Sequence, residues 1–366
     1  MYARCAPESR TPQPDRSGLA HRTARQPANG AAARQRALPD KVRDGSSGRA
    51  VLFAGKTPDV VRVERSGRDG TGRLRRGMAS QMQEPPIITL TSDFGSRDGY
   101  VAAVKGVVLG IHPDARLIDI SYDLLPHDVP HTTFVLGTAC QYFPPRAVHV
   151  AVVDPGVGTA RSPLLLVTPE GRYICPDNGL LTYVVMGYAL DRRGQAARPP
   201  AEDAFMKPRR APVPRGCSAY VLNREEYWLR PVSNTFHGRD IFAPVAAHLS
   251  LGVPADELGE AVDDMVCLAV PSPTMEGDTI QGHVVHIDRF GNLISNVRID
   301  VAPHGSVSVE VLGSRIHGVS RSYVEARGLL AIVGSHGYLE VSLANGSAAG
   351  HLGARVGARV SARLRG

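Results

Sequence analysis

The sequence predicts an α/β N-terminal domain with a mostly parallel sheet, followed by a smaller all-β, barrel-like C-terminal domain. From residue 86 to about residue 251, short apolar runs alternate with segments of helical periodicity, which is typical of βαβ units. A proline-flanked stretch, Pro271 to Pro273, then provides the predicted linker between the two domains. Beyond it the apolar runs are short, β-branched and separated by turn residues, as in small barrels or sandwiches.

The elements of the α/β part follow from local patterns. Short apolar runs that end in polar turns predict strands, and these cover residues 87–90, 116–121, 147–153, 164–167 and 172–175. Apolar residues at helical spacing, closed by proline or a polar turn, predict helices, and these cover residues 99–111, 131–143 and 239–251. In the C-terminal part, strands are predicted at residues 281–287, 293–297, 306–312, 329–333 and 338–343.

The chain divides into three predicted segments: a leader at 1–85, the α/β domain at 86–270 and the β-barrel-like domain at 272–366. The leader is rich in Arg, Pro, Gly and Ala, so it cannot bury enough apolar surface to offset the entropy of ordering. It lacks the apolar region of a secretory signal. Two interpretations stay open: the true start is Met78 or Met82, or the leader is a disordered tail. The N-terminal mass of the native protein distinguishes them.

The distribution of charge along the chain limits the classes of binding partner that can be expected. The chain carries a formal net charge of +7, but residues 1–85 hold 17 Lys and Arg against 8 Asp and Glu, whereas residues 86–366 hold 25 against 27. Because the basic excess belongs to the leader, the folded part is not predicted to bind nucleic acid. No apolar run is long enough to span a membrane. The five cysteines are scattered without a paired motif, which favours a reducing, cytoplasmic location.

Residues 191–224 interrupt the pattern with a Pro- and Arg-rich stretch that has no periodicity. We expect a surface loop there. Its basic side chains are expected to be solvated and not to form a binding patch.

Five polar runs mark the candidate site. Three follow predicted strands, where open α/β sheets bind ligands, and two lie later in the chain. They are TSDFGSRD (91–98), DPGVGTAR (154–161), CPDNG (175–179), NTFHGRD (234–240) and DRFGN (288–292). Each alone has a simpler interpretation: Asp93 as a turn cap, Asp154 as part of a turn, His237 as a structural histidine and Phe290 as a core residue.

In this order, the runs resemble the S-adenosylmethionine hydrolases, also named hydroxide adenosyltransferases, which are related to the adenosyl-fluoride and adenosyl-chloride synthases. The resemblance extends from about Ile87 to about Arg363. It rests on the runs TSDFGSRDGYVAAVKG, VAVVDPGVGTARSPLLL, YICPDNGLLT, VSNTFHGRDIFAPVAAHL, VVHIDRFGNLISN and GSHGYLEVSLANGSA. It implies the same two-domain fold, a homotrimer with active sites between subunits, and S-adenosylmethionine as a small-molecule substrate with no cofactor.

The resemblance also implies a hydrolytic triad of Asp154, Arg161 and His237. A sulfonium leaves as a neutral thioether and needs no acid, but water is a weak nucleophile that must be oriented and must lose a proton. Arginine offers fixed donors to a developing hydroxide, and the aspartate and histidine can accept protons. Which of the three takes the proton stays open. The products are expected to be adenosine and L-methionine, and no metal site is predicted.

Substrate-binding roles are implied for further residues. The family's ribose-binding acid matches Asp93, and its methionine-binding positions match Asp98, Asp288 and Ser335. The remaining matches surround adenine: Asn292 at the base edge, Phe290 and Tyr338 in the wall, and the backbone from Leu343 to Asn345. One departure concerns His336, which stands where the halogenating relatives have Arg after the serine.

Two other classes of function remain open at this point. A halide-using synthase of the same fold would form halogenated adenosine, although the halogenating relatives lack the triad. A non-catalytic sensor of S-adenosylmethionine or adenosine would bind without turnover, and it would have no need of the triad.

Overall fold

The computed structural model describes residues 85–189, 205–299, 307–325 and 327–364. The predictions for the leader, including Met78 and Met82, fall outside the described residues, as do residues 190–204 of the predicted surface loop. Within the described ranges, none of the helices has the length and apolar character that crossing a membrane requires.

The N-terminal part alternates strands and helices as predicted. Its first half comprises β1 (Ile87–Ser92), α1 (Tyr100–Ile111), β2 (Arg116–Ser121), α2 (Val129–Cys140), β3 (Val148–Val152), β4 (Pro163–Val167), β5 (Arg172–Pro176) and α3 (Thr182–Ala189). Its second half comprises β6 (Pro208–Pro212), β7 (Ser218–Val221), a π-helical turn (Gly238–Phe242), α4 (Ala243–Ser250), α5 (Ala255–Leu258), β8 (Glu260–Val262) and β9 (Asp264–Leu268).

Seven of these strands form one mixed sheet in the order β2-β1-β3-β5-β4-β7-β8. The first four are parallel, and the pairs from β5 to β8 are antiparallel. All five residues of β3 are buried because both faces of the sheet are covered. Val150 and Val152 pack into one core cluster with α1 and α4, whereas Ala151 packs into the other cluster with α2 and α3. The α/β prediction is confirmed, with the parallel strands at the half of the sheet that carries the candidate turns.

In its described residues, the C-terminal part is all-β apart from a short α-helix and a 3₁₀ turn at Tyr323–Glu325. It comprises β10 (Thr274–Glu276), β11 (Thr279–Ile287), β12 (Leu293–Ser295), β13 (Val307–Val311), β14 (Ser314–His317), β15 (Leu329–Val333), β16 (Leu339–Leu343), α6 (Ala348–Leu352) and β17 (Arg359–Leu364). The main path runs β14-β13-β17-β11-β12-β16-β15, all antiparallel. Because β14 and β15 at its two ends contact each other, the sheet is nearly closed, as predicted for a barrel-like domain.

The prediction of a loop over residues 191–224 is wrong for the part that the structure describes. Residues 208–212 form β6, which pairs with β9 in a separate two-stranded sheet, and residues 218–221 form β7. The segment PRRAP was not predicted to be a strand because strands rarely begin and end in proline. An edge strand, such as β6 in a two-stranded sheet, tolerates proline. Arg210 of β6 forms ion pairs with Asp177 and Asp264.

Helix boundaries differ from the predictions in two places. The second helix begins at Val129, before the predicted residue 131, because the Asp128 side chain accepts a hydrogen bond from the His131 N–H at 2.8 Å and caps it. It ends at Cys140. The helix predicted over 239–251 opens with the π-helical turn before the regular α4.

The two parts of the chain pack on each other through α2 and β11. Phe134 of α2 stacks on the His286 ring of β11 with 4.4 Å between centroids. His286 also lies 4.6 Å from the His131 ring, and burial among these rings lowers the pKa of His286 to about 3. The contact therefore holds a neutral, stacked imidazole in an apolar setting.

Candidate active site

Asp154 and Arg161 lie in the loop that follows β3 at the carboxyl end of the parallel strands. His237 comes from a distant segment and immediately precedes the π-helical turn that leads into α4. A close backbone approach joins the two segments: a Cβ on Gly158, whose φ is +77°, would lie 2.6 Å from the Asn234 carbonyl oxygen. Only glycine fits at that point, so the DPGVGTAR loop depends on this residue to reach the histidine segment.

The structure brings the three predicted triad side chains together in one hydrogen-bonded line. Arg161 Nε lies 3.0 Å and 2.9 Å from the two Asp154 carboxylate oxygens, and Nη2 contacts Oδ2 as well. The same Nη2 lies 2.7 Å from His237 Nδ1. The side chains of Arg161 and Asp154 are only 10% and 6% exposed, so this ion pair is shielded from bulk water. The contacts with Asp154 and His237 together fix the Arg161 guanidinium.

Burial and the neighbouring charges determine the protonation state of His237. Burial lowers the pKa of His237, and the neighbouring Arg161 cation lowers it further, so the ring is neutral at pH 7. Because Arg161 is always protonated, His237 Nδ1 must accept its hydrogen bond. The ring proton then resides on Nε2, a tautomer assigned from the hydrogen-bond partners. The N–H donor of the His237 ring is therefore at Nε2.

A neighbouring turn supports the backbone that carries Asp154. Asn178 Nδ2 donates to the Val153 carbonyl oxygen at 2.9 Å, and the Val157 N–H donates to the Asp154 carbonyl at 3.2 Å. The sequence marked CPDNG as a polar turn but did not assign Asn178 a role, because the acceptor lies 25 residues earlier on an adjacent strand.

The first predicted binding run lies at the end of β1. Asp93 is half-buried and accepts a hydrogen bond from the His127 N–H at 2.8 Å. Asp98 is exposed before α1. Between them, Phe94 packs edge-on against Phe236 with 5.6 Å between ring centroids, which places this run beside the His237 segment.

Asp288 and Asn292 close their own loop between β11 and β12. One Asp288 oxygen accepts from the backbone N–H groups of Phe290 and Asn292 at 2.9 Å each, and the other accepts from Asn292 Nδ2 at 2.8 Å. Phe290, at the tip, is 76% exposed, so its interpretation as a core residue is wrong. A large aromatic side chain is thus displayed to solvent by a rigid loop.

The last predicted binding residues lie around β16. Ser335 is exposed, whereas Tyr338 and Leu343 are half-buried. The Arg298 guanidinium stacks over the Tyr338 ring at 4.3 Å. His336 packs edge-on against a core phenylalanine, and its Nδ1 lies 3.8 Å from a Glu340 carboxylate oxygen.

The predicted residues thus form two groups within one chain. The triad hydrogen bonds stay within the α/β part, and those of Asp288 and Asn292 stay within their loop. In the described ranges, no cluster of three or more His, Cys, Asp or Glu side chains has an arrangement that would hold a metal ion.

Comparisons with known proteins identify the same two regions. The model of the SAM hydroxide adenosyltransferase N-terminal domain matches residues 88–259, and that of the C-terminal domain matches residues 282–361. An (R)-S-adenosyl-L-methionine hydrolase of Thermus thermophilus is 40% identical over 72% of this chain and 94% of its own length. A fluorinase of an Actinoplanes species is 28% identical over 60% of this chain and 74% of its own length.

Solved structures agree with the fold. The crystal structure of an uncharacterised conserved protein from Thermotoga maritima aligns with a TM-score of 0.64 at 30% identity, covering 76% of this chain and all of that one. The matched domains, the identity to the hydrolase and the shared fold together show that the chain belongs to the SAM hydroxide adenosyltransferase family.

Proposed function

We propose that this protein hydrolyses S-adenosyl-L-methionine to adenosine and L-methionine, with activated water attacking the ribose 5′ carbon in line with the departing sulfur. The observation that carries the proposal is the hydrogen-bonded line of Asp154, Arg161 and His237 at the carboxyl end of the parallel strands. The hydrolase relative bears the same activity in its name.

The three side chains divide the work by their protonation states. Arg161 supplies a fixed positive charge that stabilises the oxygen as it gains hydroxide character. His237 Nδ1 is occupied by Arg161, so its Nε2–H orients the water as a donor. Asp154 is the remaining acceptor, because each carboxylate oxygen keeps a lone pair beside the arginine contacts. The neutral thioether leaves without protonation, so general acid catalysis is not needed.

We assign the substrate contacts in accordance with the resemblance. Asp93 binds the ribose hydroxyls, and the methionine end contacts Asp98, Asp288 and Ser335. Adenine is held by the remaining set: Asn292, Phe290, Tyr338 and the backbone at Leu343. No cofactor or metal takes part, so turnover is expected to continue unchanged in the presence of a chelator.

A homotrimer with inter-subunit active sites completes this assignment. The α/β group and the β-part group each close their hydrogen bonds locally, and Phe290 is displayed at 76% exposure. An exposed aromatic on a rigid loop is typical of a surface that another protein covers. Analytical ultracentrifugation should give three chains per particle; a monomer with full activity would contradict this arrangement.

A cytoplasmic location is supported by the free cysteines Cys140, Cys175, Cys217 and Cys267.

The experiment that tests the function is chromatography of purified protein incubated with S-adenosylmethionine. The (R) and (S) sulfonium epimers should be supplied separately, because the relative's name specifies the (R) form. Equal amounts of adenosine and methionine are expected, and recovery of intact substrate from both epimers across pH about 6 to 9 would contradict the proposal.

The two other functions have distinct outcomes in the same assay. With fluoride or chloride added, a halide-using synthase would give 5′-halogenated adenosine in place of adenosine. The fluorinase relative is more distant than the hydrolase relative, at 28% against 40% identity, which favours water as the nucleophile. A sensor would bind S-adenosylmethionine and release no product.

A further inference from the structure

The segment that carries His237 is a closed turn held by its own hydrogen bonds. The Ser233 hydroxyl accepts from the Phe236 N–H at 3.0 Å. The Phe236 carbonyl in turn accepts from the N–H groups of Arg239 and Asp240, both at 3.1 Å. His237 lies inside this pattern, so the direction of its ring follows from how firmly the turn is held.

A buried carboxylate lies at the centre of the turn. Asp240 has no exposed surface, and its Oδ2 accepts from the Ser233 N–H at 2.8 Å. Arg239 pairs with it through Nε at 2.6 Å and Nη2 at 3.1 Å. Burial alone would raise the pKa of Asp240, but Arg239 and Ser233 outweigh it and lower the pKa. A buried charge with this many partners is fixed in position.

Asp240 also lies within the π-helical turn that begins just after His237. Such wide turns are uncommon and concentrate at functional sites. A Cβ on Gly238 would lie 3.2 Å from the Phe94 ring, so the turn is packed closely against the first binding run. The irregular backbone therefore depends on side-chain hydrogen bonds to keep one shape.

Ser233 connects Asp240 to the histidine. The Ser233 backbone and the Asp240 charge both act on the His237 ring. Both raise the pKa of His237, against the larger lowering by burial and Arg161. The hydrogen bonds of the Asp240 carboxylate go to Ser233 and Arg239, so the carboxylate acts on the site through the turn that carries His237.

We propose that Asp240 is a positioning residue that fixes the Ser233 turn and thereby holds His237 Nδ1 against Arg161 Nη2, an inference that rests on the proposed hydrolase function. Asp240→Asn keeps the size of the side chain and removes its charge. Ser233→Ala keeps the backbone donor to Asp240 and removes the hydroxyl that closes the turn. Both variants are expected to loosen the histidine without touching the triad.

The control is Glu225→Gln. Glu225 forms an exposed ion pair with Arg230 at 2.6 Å in the connection that precedes the turn. This variant loses an ion pair in the same stretch of chain without altering the Asp240 contacts. It is expected to match the wild type in every readout.

Two readouts separate positioning from general stability. In the hydrolase assay, Asp240→Asn and Ser233→Ala should lower kcat by about ten- to a hundredfold while KM changes by less than about threefold, because the misplaced group acts on the reaction and not on substrate binding. In a second assay, diethyl pyrocarbonate modifies the histidines and peptide mapping follows His237 alone. Its modification should be at least about threefold faster in both variants, since Nδ1 loses the fixed Arg161 contact that covers it.

The outcomes are separable. Wild-type protein without hydrolase activity would contradict the proposed function, but the modification assay would still test the positioning of His237. If Asp240→Asn does not fold, as judged by circular dichroism, Ser233→Ala carries the test. Folded variants in which His237 reacts at the wild-type rate, or in which KM rises while kcat is unchanged, would overturn the proposal.

Discussion

Replacing Asp154 by alanine separates catalysis from stability most clearly. The change removes every Arg161–Asp154 contact and leaves the Arg161 guanidinium, 10% exposed, without its carboxylate. Breaking a buried ion pair by removing one partner costs about 3–5 kcal/mol, and at about 2–4 °C per kcal/mol this loss lowers Tm by roughly 6–20 °C. The assay is therefore run below the Tm of the variant, where the variant is folded.

The effect on turnover should exceed that expected from stability. Asp154→Ala removes the proposed proton acceptor and frees Arg161 to shift away from His237. We expect kcat to fall at least about a hundredfold, which corresponds to about 2.7 kcal/mol of transition-state stabilisation. The assay is the initial rate of adenosine release at saturating S-adenosylmethionine, with Tm measured on the same samples.

A neighbouring carboxylate provides the matched control. Asp177, also 6% exposed, pairs with Arg210 at 2.7 Å and accepts from the Val266 N–H at 2.7 Å, but it contacts no triad residue through these bonds. Asp177→Ala should lower Tm by several degrees and keep kcat within about threefold of the wild type. If Asp154→Ala retained more than a tenth of wild-type kcat, Asp154 would be a structural residue only and not the proton acceptor.

Three further predictions follow from the same contacts. Because the pKa of His237 lies below the ordinary 6.5, kcat/KM should be constant near pH 7 and fall only below about pH 6.5; a fall that begins above pH 7 would contradict the neutral tautomer. The pKa of His286 is about 3 in the folded state and 6.5 when unfolded. Below pH 6.5 only the unfolded state binds this proton, so the free energy of unfolding has its full value above pH 6.5 and is about 2 kcal/mol lower at pH 5. His286→Phe should remove that part of the pH dependence of Tm, and an unchanged slope would contradict it. Asn178→Ala, which frees the Val153 carbonyl, should cost about 1–3 kcal/mol of stability and lower kcat about tenfold in the adenosine assay, whereas unaltered kcat would show that Asp154 does not depend on this support.

Local patterns in the sequence were sufficient for most of the fold. The strands β1 and β3 are short apolar runs because both faces of the sheet are covered there, so their burial can be predicted from their composition. The β6 strand was not predictable, because PRRAP has neither apolar alternation nor β-branched residues, and it pairs only through long-range contact with β9. The π-helical turn, which contains the buried Asp240, likewise leaves no periodic signal in the sequence.

The sequence grouped Asp154, Arg161 and His237 as candidates but did not predict their geometry. Asp154 and Arg161 are seven residues apart, whereas His237 is 76 residues beyond Arg161. The close backbone approach at Gly158 that accompanies their meeting is encoded by no local pattern. The resemblance grouped the three residues, and the structure adds the protonation states that follow from their contacts.

The central claim is that water attacks the ribose 5′ carbon at this triad. The most direct test is to incubate the wild-type protein with S-adenosylmethionine in ¹⁸O-labelled water and to analyse both products by mass spectrometry. One ¹⁸O atom is expected in adenosine, at the 5′ oxygen, and none in methionine. Adenosine without the label, or label in methionine, would contradict the central claim.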